Sequence, residues 1–310
     1  MSGIALTGLR AENPLAFLAA LGALSLADEA NDTTVRMGWQ DTDGTWTPFL
    51  LGDGLETADA IVQAITYAHH QRKLDEELGW AKDIMKLTRL ELRELLIARA
   101  PDSGAACLLA ACVAELPLRR DERSVPYTPF RLIPRVGRAR FLDVALRESR
   151  AGIDHIYACL FKPWVYAKRT QSLCWDPATR VPARALMAES PTHAGTRGVP
   201  GALLLAIRGL TCFPLLTTRR GAKPPGVIDR DRFVWPIWGE PLELPLVQML
   251  LSMRWLHRLD VDNERQRRQA TRQLSAHGII ARFSAPRVRR GQDSEAFGWG
   301  VPTAIVADGE

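Results

Sequence analysis

The chain is organised around the run Gly201-Ala202-Leu203-Leu204-Leu205-Ala206-Ile207, which loses its apolar character at Arg208-Gly209. This run predicts a buried helix. Residues 210–216 predict a strand, residues 219–226 a basic, turn-rich loop, and residues 233–238 an aromatic return strand. We therefore expect a rigid base with a charged tip formed by Arg219, Arg220 and Lys223.

The N-terminal part alternates predicted helices with one predicted hairpin. After a short strand at residues 4–9, Asn13-Pro14 marks a helix start, because Asn caps and Pro suits the first helical position. Residues 34–40 and 45–51 predict two strands around a hairpin turn at Asp41-Thr42-Asp43-Gly44. Further helices are predicted at residues 56–78, 88–99 and 105–116, with His69-His70 expected on the surface rather than at a metal.

The later part predicts an extended segment at residues 125–131 and a strand that ends in the turn Asp176-Pro177. Its predicted helices are at residues 142–150, 153–161, 242–256 and 262–275. The expected fold class is α+β, with mixed helices and short antiparallel sheets in two lobes. We place an acidic, partner-docking lobe at residues 1–120 and a basic, nucleic-acid-binding lobe with a helical C-terminal part at residues 121–310.

Composition is that of a globular protein, at 46% hydrophobic and 24% charged residues in 310. The N-terminus does not read as a signal peptide, and no apolar run approaches the ~18 residues of a membrane helix. We expect a cytoplasmic protein without membrane contact. Five scattered cysteines without a Cys-x-x-Cys pair are expected to be small buried hydrophobes.

Charge is segregated along the chain. Residues 1–115 carry 9 Lys and Arg against 17 Asp and Glu, whereas residues 116–310 carry 31 against 18. Arg also outnumbers Lys heavily, and Arg suits bidentate contacts to phosphates and base edges. A GC-rich genome explains the preference for Arg but not the segregation by sign. The pattern indicates a polyanionic partner on one side of the protein.

Enzymatic signatures are absent from the sequence. It contains no Walker loop, no Gly-x-Gly-x-x-Gly, no Gly-x-Ser-x-Gly and no His-x-x-x-His pair. A nuclease centre would need carboxylates from separate places, such as Asp176, Asp229 and Asp231. We therefore expect no catalytic residues, no metal and no cofactor.

Basic clusters point to nucleic-acid binding, because neutralising several phosphates gives sequence-independent affinity. The predicted contact residues lie at turn-like positions and on the helix at residues 262–275. They are Arg219, Arg220 and Lys223; Arg287, Arg289 and Arg290; Arg135, Arg138 and Arg140; Lys168 and Arg169; and Arg265 and Arg268. The last two belong to a helical cluster that also contains Arg267 and Arg272.

Aromatic residues offer a stacking alternative at Trp164, Tyr166, Trp235 and Trp238. Trp-Pro and Trp-x-x-Trp patterns beside apolar strands are more often core or subunit-interface residues. We therefore expect these four side chains to pack rather than to stack on bases.

Three segments carry a resemblance to a known family. The first segment, residues 6–22, is a predicted strand followed by Asn13-Pro14-Leu15-Ala16-Phe17-Leu18-Ala19-Ala20-Leu21-Gly22. The second is Trp175-Asp176-Pro177, followed by Arg180 and Arg184. The third comprises residues 203–214, followed by Trp235-Pro236. In this order the segments resemble the large subunits of type I-U/I-G CRISPR effector (Cascade) complexes, in a short form.

The resemblance implies a non-catalytic subunit of an RNA-guided complex. Its expected partners are the guide RNA, the other effector subunits, target double-stranded DNA and a helicase-nuclease. Such a subunit contacts duplex DNA at the protospacer-adjacent motif and helps to open it, while guide pairing reads the sequence. Two alternatives stay open: a free-standing nuclease with an unrecognised active site, and a scaffold whose arginines bind acidic proteins.

Overall fold

A computed structural model describes residues 3–72, 83–99, 101–115, 125–132, 141–170, 172–179, 196–218, 221–228, 231–289 and 295–306. The described residues form nine α-helices: α1 (Pro14–Ala30), α2 (Ala58–Gln71), α3 (Arg89–Arg99), α4 (Ser103–Cys112), α5 (Phe141–Gly152), α6 (Ile156–Phe161), α7 (Pro200–Gly209), α8 (Leu244–Leu251) and α9 (Glu264–Ala276). Short 3-10 helices lie at Ile84–Lys86, Ile153–His155, Leu210–Cys212 and Arg254–His257.

The strands form antiparallel sheets. They are β1 (Ile4–Ala5), β2 (Arg36–Thr42), β3 (Thr45–Leu51), β4 (Lys168–Thr170), β5 (Thr196–Gly198), β6 (Leu216–Thr218), β7 (Gly221–Lys223), β8 (Val227–Ile228), β9 (Arg232–Trp238), β10 (Leu242–Glu243), β11 (Ile279–Arg289), β12 (Glu295–Phe297) and β13 (Val301–Ala304). One sheet has the order β1-β3-β2-β10 and another β12-β11-β9-β8, with β13 also paired to β11. Two further sheets of the described residues have two strands each, β4-β5 and β6-β7. The α+β prediction is confirmed.

Helices α1 and α7 form the centre of the core. Asn13 caps α1 by accepting a hydrogen bond from the Leu15 backbone N–H, and Pro14 occupies the first turn, as the sequence predicts. Every residue of α7 is buried, including Arg208. The two helices approach so closely that a Cβ added at Gly22 would lie 1.8 Å from the Leu205 carbonyl oxygen. Only glycine permits this contact.

The β2–β3 hairpin is also as predicted. Asp43 and Gly44 have φ values of 53° and 79°, which favour Asp and Gly in a two-residue hairpin turn. The hairpin packs on the core through Trp39, whose ring stacks on Phe17 with centroids 5.9 Å apart.

The sheet that contains β9 closes the other side of the core. Phe17 also stacks on Trp235, with centroids 5.4 Å apart. The indole N–H of Trp235 donates to the Ala11 carbonyl (3.0 Å) and that of Trp238 donates to the Met37 carbonyl (2.8 Å). Both indoles are buried, which confirms the prediction that they are core residues.

The two sequence halves share this core. Helix α1 packs on α7, and β10 pairs with β2 of the N-terminal hairpin. Residues 116–124, around the predicted division between residues 120 and 121, lie outside the described residues, so this division stays a prediction.

Some local predictions are wrong. Residues 172–176 form no strand, and Cys174 there has a φ of 64° that a strand cannot hold. The helix predicted at residues 242–256 ends at Leu251 and is followed by a 3-10 turn. Within the described ranges, no helix combines the length and apolar character needed to cross a membrane.

His69 is buried at 8% exposure rather than on the surface as predicted, because it continues the i, i+4, i+8 stripe of Ile61 and Ile65 on α2. Burial, together with the positive charges of Arg208 and His70, lowers its pKa to about 4. A neutral imidazole therefore lies in this part of the core near neutral pH.

The cysteine prediction holds for three of the five residues. Cys112, Cys159 and Cys212 are buried, and burial raises the pKa of Cys112 to about 12. The prediction is wrong for Cys107, which is exposed.

Candidate nucleic-acid interface

Helix α9 presents a row of arginines to solvent. Ala270 and Leu274 form its buried face. Because an α-helix turns 100° per residue, Arg265, Arg268 and Arg272 lie within about 60° of one another and roughly opposite that face. All three residues are exposed. We call this set the arginine stripe.

Residues close to the N-terminus of α9 fix where this helix begins. Asn263 caps the helix by accepting from the Gln266 N–H at 3.1 Å. Arg268 pairs with Glu264 one turn earlier, with both side chains 66% exposed. Exposed pairs of this spacing contribute only about 0.3–0.5 kcal/mol. Arg268 can therefore exchange this carboxylate for a phosphate at little cost.

A buried ion pair fixes the segment that leads into α9. Arg282 on β11 donates from Nη1 and Nη2 to the two carboxylate oxygens of Asp260, at 2.7 and 2.8 Å. Its Nη1 also donates to the Leu256 carbonyl at 3.1 Å. Partial burial raises the pKa of Asp260, but the hydrogen bonds and charge of Arg282 outweigh it, and the pKa lies below its ordinary value. This bidentate pair connects Asp260, in the segment before α9, to β11 in the β12-β11-β9-β8 sheet.

The predicted cluster near the C-terminus is placed differently from the prediction. Arg287 and Arg289 lie on β11, not in a loop, because residues 287–289 pair with β12. Arg289 is exposed, whereas Arg287 is half-buried and ion-paired with Glu295. Arg289 is therefore the more accessible of the two.

Lys168 and Arg169 also lie on a strand rather than at a turn, because β4 pairs with β5. Lys168 is exposed. Lys223 belongs to β7, where it is opposite Leu216 and half-buried, so it is not at the tip of the β6–β7 hairpin. Six predicted contact residues lie outside the described residues: Arg135, Arg138, Arg140, Arg219, Arg220 and Arg290.

A pocket of about 300 Å³, which sequence reasoning missed, lies at the start of α1. Four separate segments form it, and the side chains that define it are Thr7, Arg10, Asn13, Trp164, Tyr166 and Trp299. We call it the aromatic pocket. Trp164 and Tyr166 are among the four aromatics expected to pack, and both are half-buried against the core. The sequence offers no signal that Trp299 joins them.

Hydrogen bonds fix the walls of the aromatic pocket. The Trp164 indole N–H donates to the Cys159 carbonyl at 3.0 Å, and the Thr7 hydroxyl donates to the Phe161 carbonyl at 3.0 Å. Next to Trp299, the Gly300 N–H donates to the Glu12 carbonyl at 2.7 Å. The pocket is therefore formed before any ligand enters.

Asp176 supports the pocket from behind. The Asn13 side-chain amide donates to Asp176 Oδ1 at 2.9 Å, and the Ala178 N–H donates to the same oxygen at 2.9 Å. Burial raises the pKa of Tyr166, and the nearby negative charge of Asp176 raises it further, so this phenol stays protonated. At 3% exposure Asp176 acts here as a structural acceptor.

Across the described part of the chain, no group of three or more His, Cys, Asp or Glu side chains is placed to hold a metal ion. Of the carboxylates considered for a nuclease centre, Asp176 is buried, Asp231 is exposed, and Asp229 lies outside the described residues.

Comparison of the sequence with protein-family models and with curated proteins finds no match.

Proposed function

We propose that the protein is a non-catalytic, nucleic-acid-binding subunit of a type I CRISPR RNA-guided complex. In this role it contacts duplex DNA at the protospacer-adjacent motif, helps to open the duplex and helps to recruit a helicase-nuclease. The resemblance of residues 6–22, 175–177 and 203–214 supports membership of the complex. The arginine stripe on α9 is the observation that supports contact with DNA.

The dimensions of the stripe suit a phosphate backbone. Arg265 and Arg272 are seven residues apart, which corresponds to about 10 Å along a helix that rises 1.5 Å per residue. Duplex DNA carries one negative charge per ~1.7 Å of its axis, so a segment of that length presents about six phosphates. Three guanidiniums on one exposed face can each contact one of these phosphates.

Other exposed cations extend the same proposal. Arg289 at the end of β11 and Lys168 on β4 are accessible to a polyanion. Arg287 contributes less, because Glu295 already neutralises it. The net charge of residues 116–310 attracts the nucleic acid over a longer range at low salt.

The test is a titration of fluorescently labelled duplex DNA at several salt concentrations. The triple variant Arg265→Ala/Arg268→Ala/Arg272→Ala removes the stripe but leaves Ala270 and Leu274 in place. If all three arginines contact phosphates, the slope of log K against log salt falls by about 2.7, which is 0.9 for each contact. Assembly with partner subunits should be unchanged.

The matched control is Gln266→Ala/Gln269→Ala, which alters two exposed residues of the same helix without changing charge. It should retain the wild-type slope. An unchanged slope in the triple variant would show that the stripe does not contact DNA. Absence of duplex affinity at low salt, alone and in the complex, would favour a protein scaffold instead.

A further inference from the structure

We infer that the aromatic pocket binds a single unstacked nucleotide, with the base between aromatic rings and the phosphate at Arg10. This site lies on elements other than α9, and its evidence does not depend on duplex binding.

The shape and lining of the pocket suit a flat aromatic ligand. Trp164, Tyr166 and Trp299 are three of its lining residues, and a volume of about 300 Å³ is at the lower end of the range for small-molecule sites. Trp299 is 48% exposed, which is unusual for so large an apolar side chain and leaves ring surface free for a partner. Stacking on aromatic side chains is sequence-tolerant, because every base has a π-face.

The charge of the pocket selects an anion over a cation. None of the described residues that line it is acidic, and its one charged lining residue is Arg10. The Arg10 side chain is 67% exposed, and its contact with Glu12 is long, at 4.0 Å. Aromatic pockets also bind quaternary ammonium groups. Here Arg10 is the charged residue of the described lining, whereas the Asp176 carboxylate is buried behind the pocket and already accepts from Asn13, so a phosphate can pair directly with the guanidinium.

Asn13 adds a polar contact on the inner wall. Its amide nitrogen donates one hydrogen to Asp176, and an amide NH₂ has a second hydrogen to donate. Because Asn13 also caps α1 and is only 4% exposed, its orientation is fixed before the ligand binds. A pre-positioned amide of this kind can hydrogen-bond the edge of a base.

Two sources could provide the nucleotide: a free nucleoside monophosphate, or one residue of a single strand. The experiment uses both. One probe is 2-aminopurine riboside monophosphate, and the other is a short single-stranded oligodeoxynucleotide with 2-aminopurine at its centre. Quenching of 2-aminopurine fluorescence reports stacking on a ring. Tighter binding of the oligonucleotide identifies a strand as the source, and equal binding identifies the free nucleotide.

Trp299→Ala should weaken binding of both probes about tenfold, since it removes one of the rings on which the base stacks. Trp299→Phe should restore most of the affinity, and Arg10→Ala should weaken binding in a salt-dependent manner. The controls are Tyr67→Ala, an aromatic that is 60% exposed on α2, and Arg36→Ala, an exposed arginine on β2. Both should bind as wild type.

Several results would overturn the inference. One is equal affinity of wild type and Trp299→Ala for both probes. Another is binding of tetramethylammonium with no nucleotide binding. The inference can also be tested separately from the proposed function. The arginine-stripe variant should lose duplex affinity yet still quench the monophosphate probe. Trp299→Ala should retain duplex affinity but quench the monophosphate probe less.

Discussion

Replacement of Gly22 by Ala tests the central helix pair most directly. The added Cβ would lie 1.8 Å from the Leu205 carbonyl oxygen and 3.1 Å from the Gly209 backbone nitrogen. Carbon and carbonyl oxygen do not approach within about 3 Å, so α1 and α7 must separate locally by about 1 Å. Neither obstructing group can move away alone, because both belong to helix backbone.

The expected cost follows from that displacement. A gap of 0.5–1 Å reduces the attractive energy of each dispersion contact across it by about a quarter to a half. Overpacking typically costs about 1–3 kcal/mol or more in stability. Because α7 is buried along its whole length, we expect at least about 3 kcal/mol here. Alanine recovers about 1 kcal/mol through helix propensity. The net loss in free energy of unfolding should be about 2–4 kcal/mol.

Urea unfolding measures this loss as a lower midpoint at unchanged slope. The control is Gly239→Ala, since a Cβ there meets its nearest neighbour, Ile280 Cγ2, at an ordinary 3.5 Å. That variant should unfold like the wild type. If Gly22→Ala also stayed within about 0.5 kcal/mol of wild type, the two helices would not pack as closely as described.

Two further predictions concern buried charge. Because burial lowers the pKa of His69 to about 4 from 6.5, the unfolded chain binds more protons between these values, and stability should fall by at most about 3 kcal/mol as pH decreases through this window. The pH dependence of the urea midpoint should diminish in His69→Gln but persist in His70→Gln, and an unchanged profile in His69→Gln would contradict the assignment. Asp260→Asn should lower the free energy of unfolding by about 2–4 kcal/mol, because it leaves buried Arg282 without its anionic partner. Water partly reaches Asp260, which keeps the expected loss below that of a fully buried pair. The exposed variant Asp262→Asn should match wild type in the same assay, and a similar result for Asp260→Asn would mean that the pair contributes nothing.

Local chemistry made part of the fold predictable. The Asn13-Pro14 start of α1 and the Asp43-Gly44 turn depend on hydrogen bonds and φ values within a few residues. The burial of α7 could be predicted as well, because its apolar run continues around the whole helix.

Positions set by distant partners were not predictable in the same way. Residues 287–289 look like a basic loop in the sequence, yet pairing with β12 makes them a strand. His69 is an intermediate case, since its spacing from Ile61 and Ile65 already indicated the buried face. Its polarity suggested the surface, and the helical spacing was the better guide.

The aromatic pocket shows why a site can escape sequence analysis. Trp164 and Trp299 are far apart in the chain, and neither lies in a recognisable motif. Trp235 was grouped with Trp164 as a stacking candidate, but the fold buries Trp235 and leaves Trp164 at a pocket wall. The residue types could be proposed from the sequence, whereas only the fold brings residues 7–16, 163–166, 178 and 299 to one pocket.

The two short motifs that carry most of the family resemblance are physically one unit. Asn13, at the start of α1, holds the Leu15 N–H with one side-chain atom and Asp176 with the other. Asp176 in turn orders the following turn through the Ala178 N–H. Loss of Asp176 would leave the buried Asn13 amide without this acceptor, which is costly for a buried polar group. The joint presence of Asn13 and Asp176 is thus explained by folding and by the support of the aromatic pocket. The proposed contact with DNA therefore rests on exposed cations such as those of α9.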